Sequence, residues 1–222
     1  MHDKLAPILT ASVLVAMATP AKSGDLEVDV IGEVVGALAG EERSWLVLER
    51  DEPAHGVEAG ASAELSVTGI SGRASWSLLV QGHDPESDNI LTEQTLRMTL
   101  RFAALDADAP PPGPGDDFDV EEIMFVAENG MMPDRAYLSE SRFDQEPDYL
   151  SDGDASDDET PEPAEATLEK LEVDGERGRA AGSFSGTLCL ADISEGGIAD
   201  YDDCMQVSGD FDTEFPVIEV ER

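Results

Sequence analysis

The chain has 222 residues, with 50 Asp and Glu against 13 Lys and Arg and a formal net charge of −37. A surface this anionic lacks the basic footprint that neutralises phosphates, which excludes nucleic-acid binding and polybasic attachment to anionic membranes. Such charge disfavours self-association and makes the folded state repel itself, so a salt-screened monomer is expected.

Residues 1–23 read as a secretory signal peptide, with Lys4 at the basic end, an uncharged run from Leu5 to Ala18 and a small-residue exit at Ala21-Lys22-Ser23. The run is shorter than the roughly 20 residues needed to span a bilayer. No later apolar stretch approaches that length, so no membrane insertion is expected, and the product belongs in the periplasm or the medium. Removing the leader leaves Lys170 as the only lysine.

Residues 24–222 then form one domain. Val28 and Val30 alternate with Glu27 and Asp29, and the run 44–49 is apolar on both faces, as in a central strand. Runs 63–67 and 75–80 follow, with Gly69 and Gly72 marking a turn. In 96–102, Leu96, Met98, Leu100 and Phe102 face one side and Arg97, Thr99 and Arg101 the other. Further strand signals lie at 122–126, 166–173, 184–190 and 205–211, with 215–220 extending the sheet. Short strands separated by Gly, Pro and Asp turns predict an all-β fold, an antiparallel β-sandwich with barrel-like closure as a variant. The few aromatics leave no girdle for a membrane barrel. A Pro-rich loop at 107–116 and an acidic insertion at 144–165, with ten carboxylates and no base, interrupt the domain.

Cys189 and Cys204 read as one disulfide in an oxidising compartment. Period-two alternation puts each on the polar face of its strand, where the bond would clip a long hairpin at its base from outside. Closing a loop of this length is worth about 3 kcal/mol in the chain-entropy model.

Catalytic signals are sparse. Gly182-Ser183-Phe184-Ser185-Gly186 lacks the G-x-S-x-G spacing and lies in a strand rather than a strand-to-helix turn. His55 and His83, the latter followed by Asp84, are the histidines left after the leader, and their Gly- and Pro-flanked positions predict exposed loops. Two acidic loops are candidate calcium sites: Asp148, Asp152, Asp154, Asp157 and Asp158, and the disulfide-closed Asp192, Glu195, Asp200, Asp202 and Asp203. The first lacks the EF-hand order, because Gly153 sits between Asp152 and Asp154, the second has the better constrained backbone, and solvated loops are the expected reading. Trp45 is a weak candidate for sugar stacking, and Trp76 shares the parity of Leu78 and Val80, hence core.

The segments Gly182-Ser-Phe-Ser-Gly-Thr-Leu188 and Val207-Ser-Gly-Asp-Phe-Asp212 resemble the closing strand pair of a group of uncharacterised secreted bacterial β-sandwich proteins. In that group a G-x-F-S-G-T-L strand precedes a v-x-G-x-F-D strand. A Trp-bearing strand at Trp45, the alternating strand 96–102 and the strand 123–126 follow the group's order. The resemblance implies a fold and a secreted location, not an activity. The expected function is a non-enzymatic binding or structural module for a protein or glycan partner in a saline setting, with no catalytic residues, cofactor or metal. A calcium-stabilised carbohydrate-binding module and an extracellular hydrolase are the alternatives.

Overall fold

The computed structural model describes residues 28–50, 60–70, 73–86, 94–106, 109–127, 135–139, 163–192 and 198–220. The expected leader at 1–23, His55, and the acidic insertion as far as residue 162 lie outside these. The described residues hold twelve strands and no helix: β1 (Asp29–Leu38), β2 (Glu41–Arg50), β3 (Gly60–Ala61), β4 (Ala63–Ile70), β5 (Arg73–His83), β6 (Thr95–Phe102), β7 (Leu105–Asp106), β8 (Phe118–Val126), β9 (Arg135–Ser139), β10 (Glu165–Asp174), β11 (Arg177–Asp192) and β12 (Ile198–Val220). Glu165 opens β10 rather than closing the acidic insertion.

All strands join one hydrogen-bonded sheet in the order β10-β11-β9-β8-β6-β5-β4-β12-β1-β2-β3, with β7 on β5. Further pairings fold this ribbon over on itself. β11 also runs along β12 from Arg177↔Pro216 to Asp192↔Ile198, and β2 meets β5 at Leu46↔His83. The outcome is a sandwich with barrel-like seams. One layer is β10-β11-β12-β1-β2 and the other β4-β5-β6-β8-β9. The 16-residue β11 and 23-residue β12 are long enough to serve both. Every pairing is antiparallel except β12–β4, where Val217–Val220 run parallel to Leu65–Thr68.

The strands form because period-two alternation gives each an apolar face with a place to bury it. Leu96, Met98, Leu100 and Phe102 of β6 turn inward, as do Trp76, Leu78 and Val80 of β5 and Phe211 and Phe215 of β12. Each such side chain contributes about 1.5–3 kcal/mol on leaving water. The hairpin joining β1 to β2 is a two-residue turn with positive φ at both Ala39 (53°) and Gly40 (81°), a combination whose twist suits right-handed strands.

The G-x-F pattern has a physical meaning. In the β11–β12 ladder, Gly182 stands opposite Phe211, Phe184 opposite Gly209, and Gly178 opposite Phe215. Each phenyl ring lies in the space its partner's side chain would need. A Cβ on Gly182 or Gly209 would sit 3.0 Å from the Cζ of Phe211 or Phe184. Three glycine–phenylalanine pairs thus interlock the two longest strands.

The expected strand face of Cys189 and the expected place of the bond in the hairpin are corrected. Cys189 and Cys204 are directly opposite across this ladder, at disulfide distance with sulfurs 2.03 Å apart. Cys204 is exposed, but Cys189 is fully buried. Its strand face is not solvent there: Cys189 pairs with Leu138 of β9, a member of a second apolar cluster with Val126, Ala136 and Ala191. Nor does the bond close the base of the hairpin. Pairing resumes beyond it at Leu190↔Asp200, with residues 201–203 of β12 bulging from the ladder.

Candidate functional site

The outer face of the β10-β11-β12-β1-β2 layer carries an open trough of about 680 Å3. Reading across the strands, Glu165, Ser185, Ser208, Ala37 and Glu42 form one row, and Thr167, Ser183, Asp210, Val35 and Ser44 form the next. The residues that alternate with the inward Gly and Phe of the G-x-F motifs are therefore the small hydroxyls of this surface. Gly36 and Gly209 are cross-strand partners at its floor. With no Cβ on either, the backbones approach closely over the Phe184 ring, and the floor stays low. Four hydroxyl groups, three carboxylates and the half-exposed Val35 line the trough, with no base among its lining residues. Such a floor can donate and accept hydrogen bonds and attract cations.

Beyond the trough, the same face changes character. Arg179 makes a two-pronged contact with Asp212, and Arg177 another with Glu49, while Lys170 sits 3.0 Å from Glu172. The Arg179 hydrogen bond, followed by its charge and that of Lys170, holds the Asp212 carboxyl below its usual range. Asp212, Glu49 and Glu172 thus have cationic partners, while Glu33, in register with Asp212, accepts from the Ser44 hydroxyl instead. Glu42, Glu165 and Asp210 make no ion pair among the described residues.

A second polar layer lies on the outer face of β4-β5-β6-β8. Glu64, Leu79, Thr99 and Glu122 share a cross-strand row. Glu122 is 5% exposed, and its Oε1 lies 3.9 Å from Nε of Arg97 on β6. Burial raises the Glu64 carboxyl above its usual range, and the charge of Arg97 opposes that rise. At the end of β5, His83 is 3% exposed, with Nε2 2.8 Å from the hydroxyl of Ser62. The expectation of an exposed loop histidine is overturned, because the β2–β5 bridge continues β5 through His83 and covers it. Asp84, its neighbour in sequence, instead faces Arg43 at 3.7 Å. Arg43 also donates to Gln94 at the rim of a second hollow, of about 530 Å3, between the start of β2 and the end of β5.

The remaining candidates are placed as follows. Trp45 is fully buried and Trp76 nearly so, so neither offers a face to a sugar. Asp200, Asp202 and Asp203 are exposed in and beside the β12 bulge; the cluster between Asp148 and Asp158 lies outside the described residues. Among the described residues, no three His, Cys, Asp or Glu side chains are grouped to hold a metal ion, and no helix is long and apolar enough to cross a membrane. Sequence reasoning missed Ser62 as the partner of His83, and it missed the trough. The only signal for the trough was the small polar residue at each outward position of the G-x-F motifs. Comparison with protein-family models, curated proteins and solved structures gives no match.

Proposed function

We propose that the chain is a secreted, non-enzymatic β-sandwich module of a saline periplasmic or extracellular setting, binding a partner across the outer face of its first layer. The observation that carries this reading is the hydroxyl- and carboxylate-lined trough, whose lining includes neither Ser62 nor His83. The leader-like residues 1–23 and the disulfide support the location. The likeness of the 182–188 and 207–212 segments to secreted β-sandwich proteins points the same way.

The hydrolase reading draws on one contact, the 2.8 Å Ser62–His83 hydrogen bond, which has the geometry of a nucleophile on its base. In the binding-module reading that bond satisfies the Nε2 side of a buried imidazole at the seam of β2 and β5, as buried polar groups require. A fluorophosphonate probe separates the two. The purified protein should stay unlabelled, like its Ser62→Ala variant. Stoichiometric labelling that disappears in Ser62→Ala would replace the binding module with a serine hydrolase.

A further inference from the structure

We infer that the Cys189–Cys204 bond is a one-sided, charge-guarded redox clamp. Thiols from solvent open it only through Cys204, and the acids preceding that residue turn anionic thiols away. The inference concerns the far end of the β11–β12 hairpin and is independent of the trough and its partner. Three observations lead to it.

The first is access. The two cysteines stand directly opposite each other across the ladder, yet Cys204 is exposed and Cys189 is fully buried. Direct attack at Cys189 is blocked by β9, whose Leu138 pairs with it and packs with Val126, Ala136 and Ala191. Thiol exchange proceeds by attack of a thiolate on one sulfur and departure of the other. Here the entering thiolate bonds to Sγ of Cys204 and the Cys189–Cys204 bond breaks. Its electron pair leaves on Sγ of Cys189, which then takes a proton from water. A second thiolate releases Cys204 from the mixed disulfide, so two thiols are oxidised as the protein's bond is reduced. The departing Cys189 anion is left among apolar side chains, which stabilise it poorly and slow the step.

The second is charge. Asp200, Asp202 and Asp203 lie within the four residues before Cys204, and all are exposed. Two of these carboxylates are held in place. The amide of Asp202 donates to Oδ1 of Asp200 at 3.1 Å, and the Tyr137 hydroxyl donates to Oδ1 of Asp203 at 3.3 Å. None of the three acids makes an ion pair among the described residues. The approachable sulfur therefore sits in a local negative field. That field repels a thiolate carrying a second negative charge more than one balanced by its own ammonium group.

The third is what receives the freed sulfur. Sγ of Cys204 lies 3.3 Å from the carbonyl oxygen of Tyr201 and 3.8 Å from that of Asp200. Once reduced, the Cys204 thiol can donate to these carbonyls. The ladder pairs on either side, Leu188↔Met205 and Leu190↔Asp200, keep the strands together. The two sulfurs thus stay opposite, and exchange with a small disulfide closes the clamp again by the reverse of the same steps.

The test is the rate at which small thiols reduce the purified, disulfide-bonded protein. Cysteamine, mercaptoethanol and mercaptopropionate serve as reductants, because their thiolate forms are neutral overall, singly negative and doubly negative. Each rate per thiolate is divided by that of the same thiol on the neutral hydroxyethyl disulfide, which removes differences in nucleophilicity. At about 10 mM ionic strength cysteamine should outpace mercaptopropionate by about tenfold or more, and in about 1 M NaCl by less than about twofold. Asp200→Asn/Asp202→Asn/Asp203→Asn should remove most of the low-salt spread. The same change of charge elsewhere, Asp106→Asn/Asp119→Asn/Glu219→Gln, should leave it. Equal rates for the three thiols would overturn the charge guard, and equal narrowing in both variants would overturn it in favour of the net charge of the molecule. Access is read by brief N-ethylmaleimide labelling of the reduced protein, followed by peptide mapping. Cys204 should be labelled roughly ten times faster than Cys189; equal labelling would overturn the one-sided clamp.

Discussion

Glu64 makes the energetics of this anionic surface concrete at the scale of one residue. Its carboxyl is half-buried on β4, and desolvation raises its pKa more than Arg97 lowers it. A carboxyl with a raised folded pKa holds its proton more tightly in the folded state. Its ionisation therefore costs no stability below the unfolded pKa, and the full cost is present above the folded pKa. Glu64→Gln should accordingly stabilise the protein at pH 7, by on the order of 0.5 kcal/mol. The gain should fade on titrating to about pH 3.5, where Glu64 is protonated in both states. Urea denaturation at the two pH values checks this; a destabilised variant at pH 7 would mean that Arg97 outweighs burial. Asp212 has the opposite sign: beside Arg179 its pKa is lowered, so its contribution is present above the unfolded pKa and is lost as pH falls through the folded one. Half-exposed in solvent, that pair contributes little. Neither effect was legible in the sequence. Glu64 and Arg97 are 33 positions apart, and only strand order makes them neighbours. His83 was misread for the same reason, since its Gly and Pro flanks signal a loop, while the β2–β5 bridge that buries it is a long-range fact.

At the scale of elements, the β11–β12 ladder holds the architecture, since it joins the layers and supplies the middle of the trough. Its glycines are not interchangeable with those elsewhere. A Cβ at Gly182 would collide with the backbone oxygen of Thr167 on β10 and crowd the Phe211 ring, and the sheet offers backbone little room to move. Gly69, near the end of β4, would meet nothing within 4 Å and lacks a positive φ. Gly182→Ala should therefore destabilise by about 2–3 kcal/mol, as overpacking does. Gly69→Ala should stabilise by about 0.4–1 kcal/mol by restricting the unfolded chain. Urea midpoints of the two variants should move in opposite directions, and similar shifts would deny the interlock. Alternation at 63–67, 75–80 and 96–102 located β4, β5 and β6 because each buries only one face. β9 escaped notice, with five residues and no long alternation to mark it. The parallel β12–β4 pairing was also hidden, because a strand's alternation tells which face is buried but not which neighbour lies alongside. The buried side of Cys189 follows from β9 and was concealed with it.

At the scale of the whole molecule, the fold must be stable despite a net charge of −37, and the ion pairs present are too few to cancel it. Arg177, Arg179 and Lys170 neutralise one end of a sheet face, and Arg43, Arg97 and Arg101 act on their own neighbours. The remaining carboxylates repel one another over distances that dissolved salt controls, since the screening length shrinks from about 10 Å at 0.1 M to about 3 Å at 1 M. The melting temperature should thus climb with NaCl into the molar range, by on the order of 5 °C between 0.1 and 1 M for a domain of this size. Ionic-strength-matched MgCl2 and CaCl2 should give equal rises. A specific calcium site behaves differently, because a ligand that binds only the folded state stabilises it logarithmically once above its dissociation constant. Stabilisation by calcium at millimolar concentration, unmatched by magnesium and removed by EDTA, would restore the calcium-bound alternative and place the ion in an acidic loop outside the described residues or at the β12 bulge. A rise common to all three salts would instead identify the acidic surface as adaptation to the medium. The unpaired carboxylates of the trough, which added salt would also screen, would then be the part of that surface left for a partner.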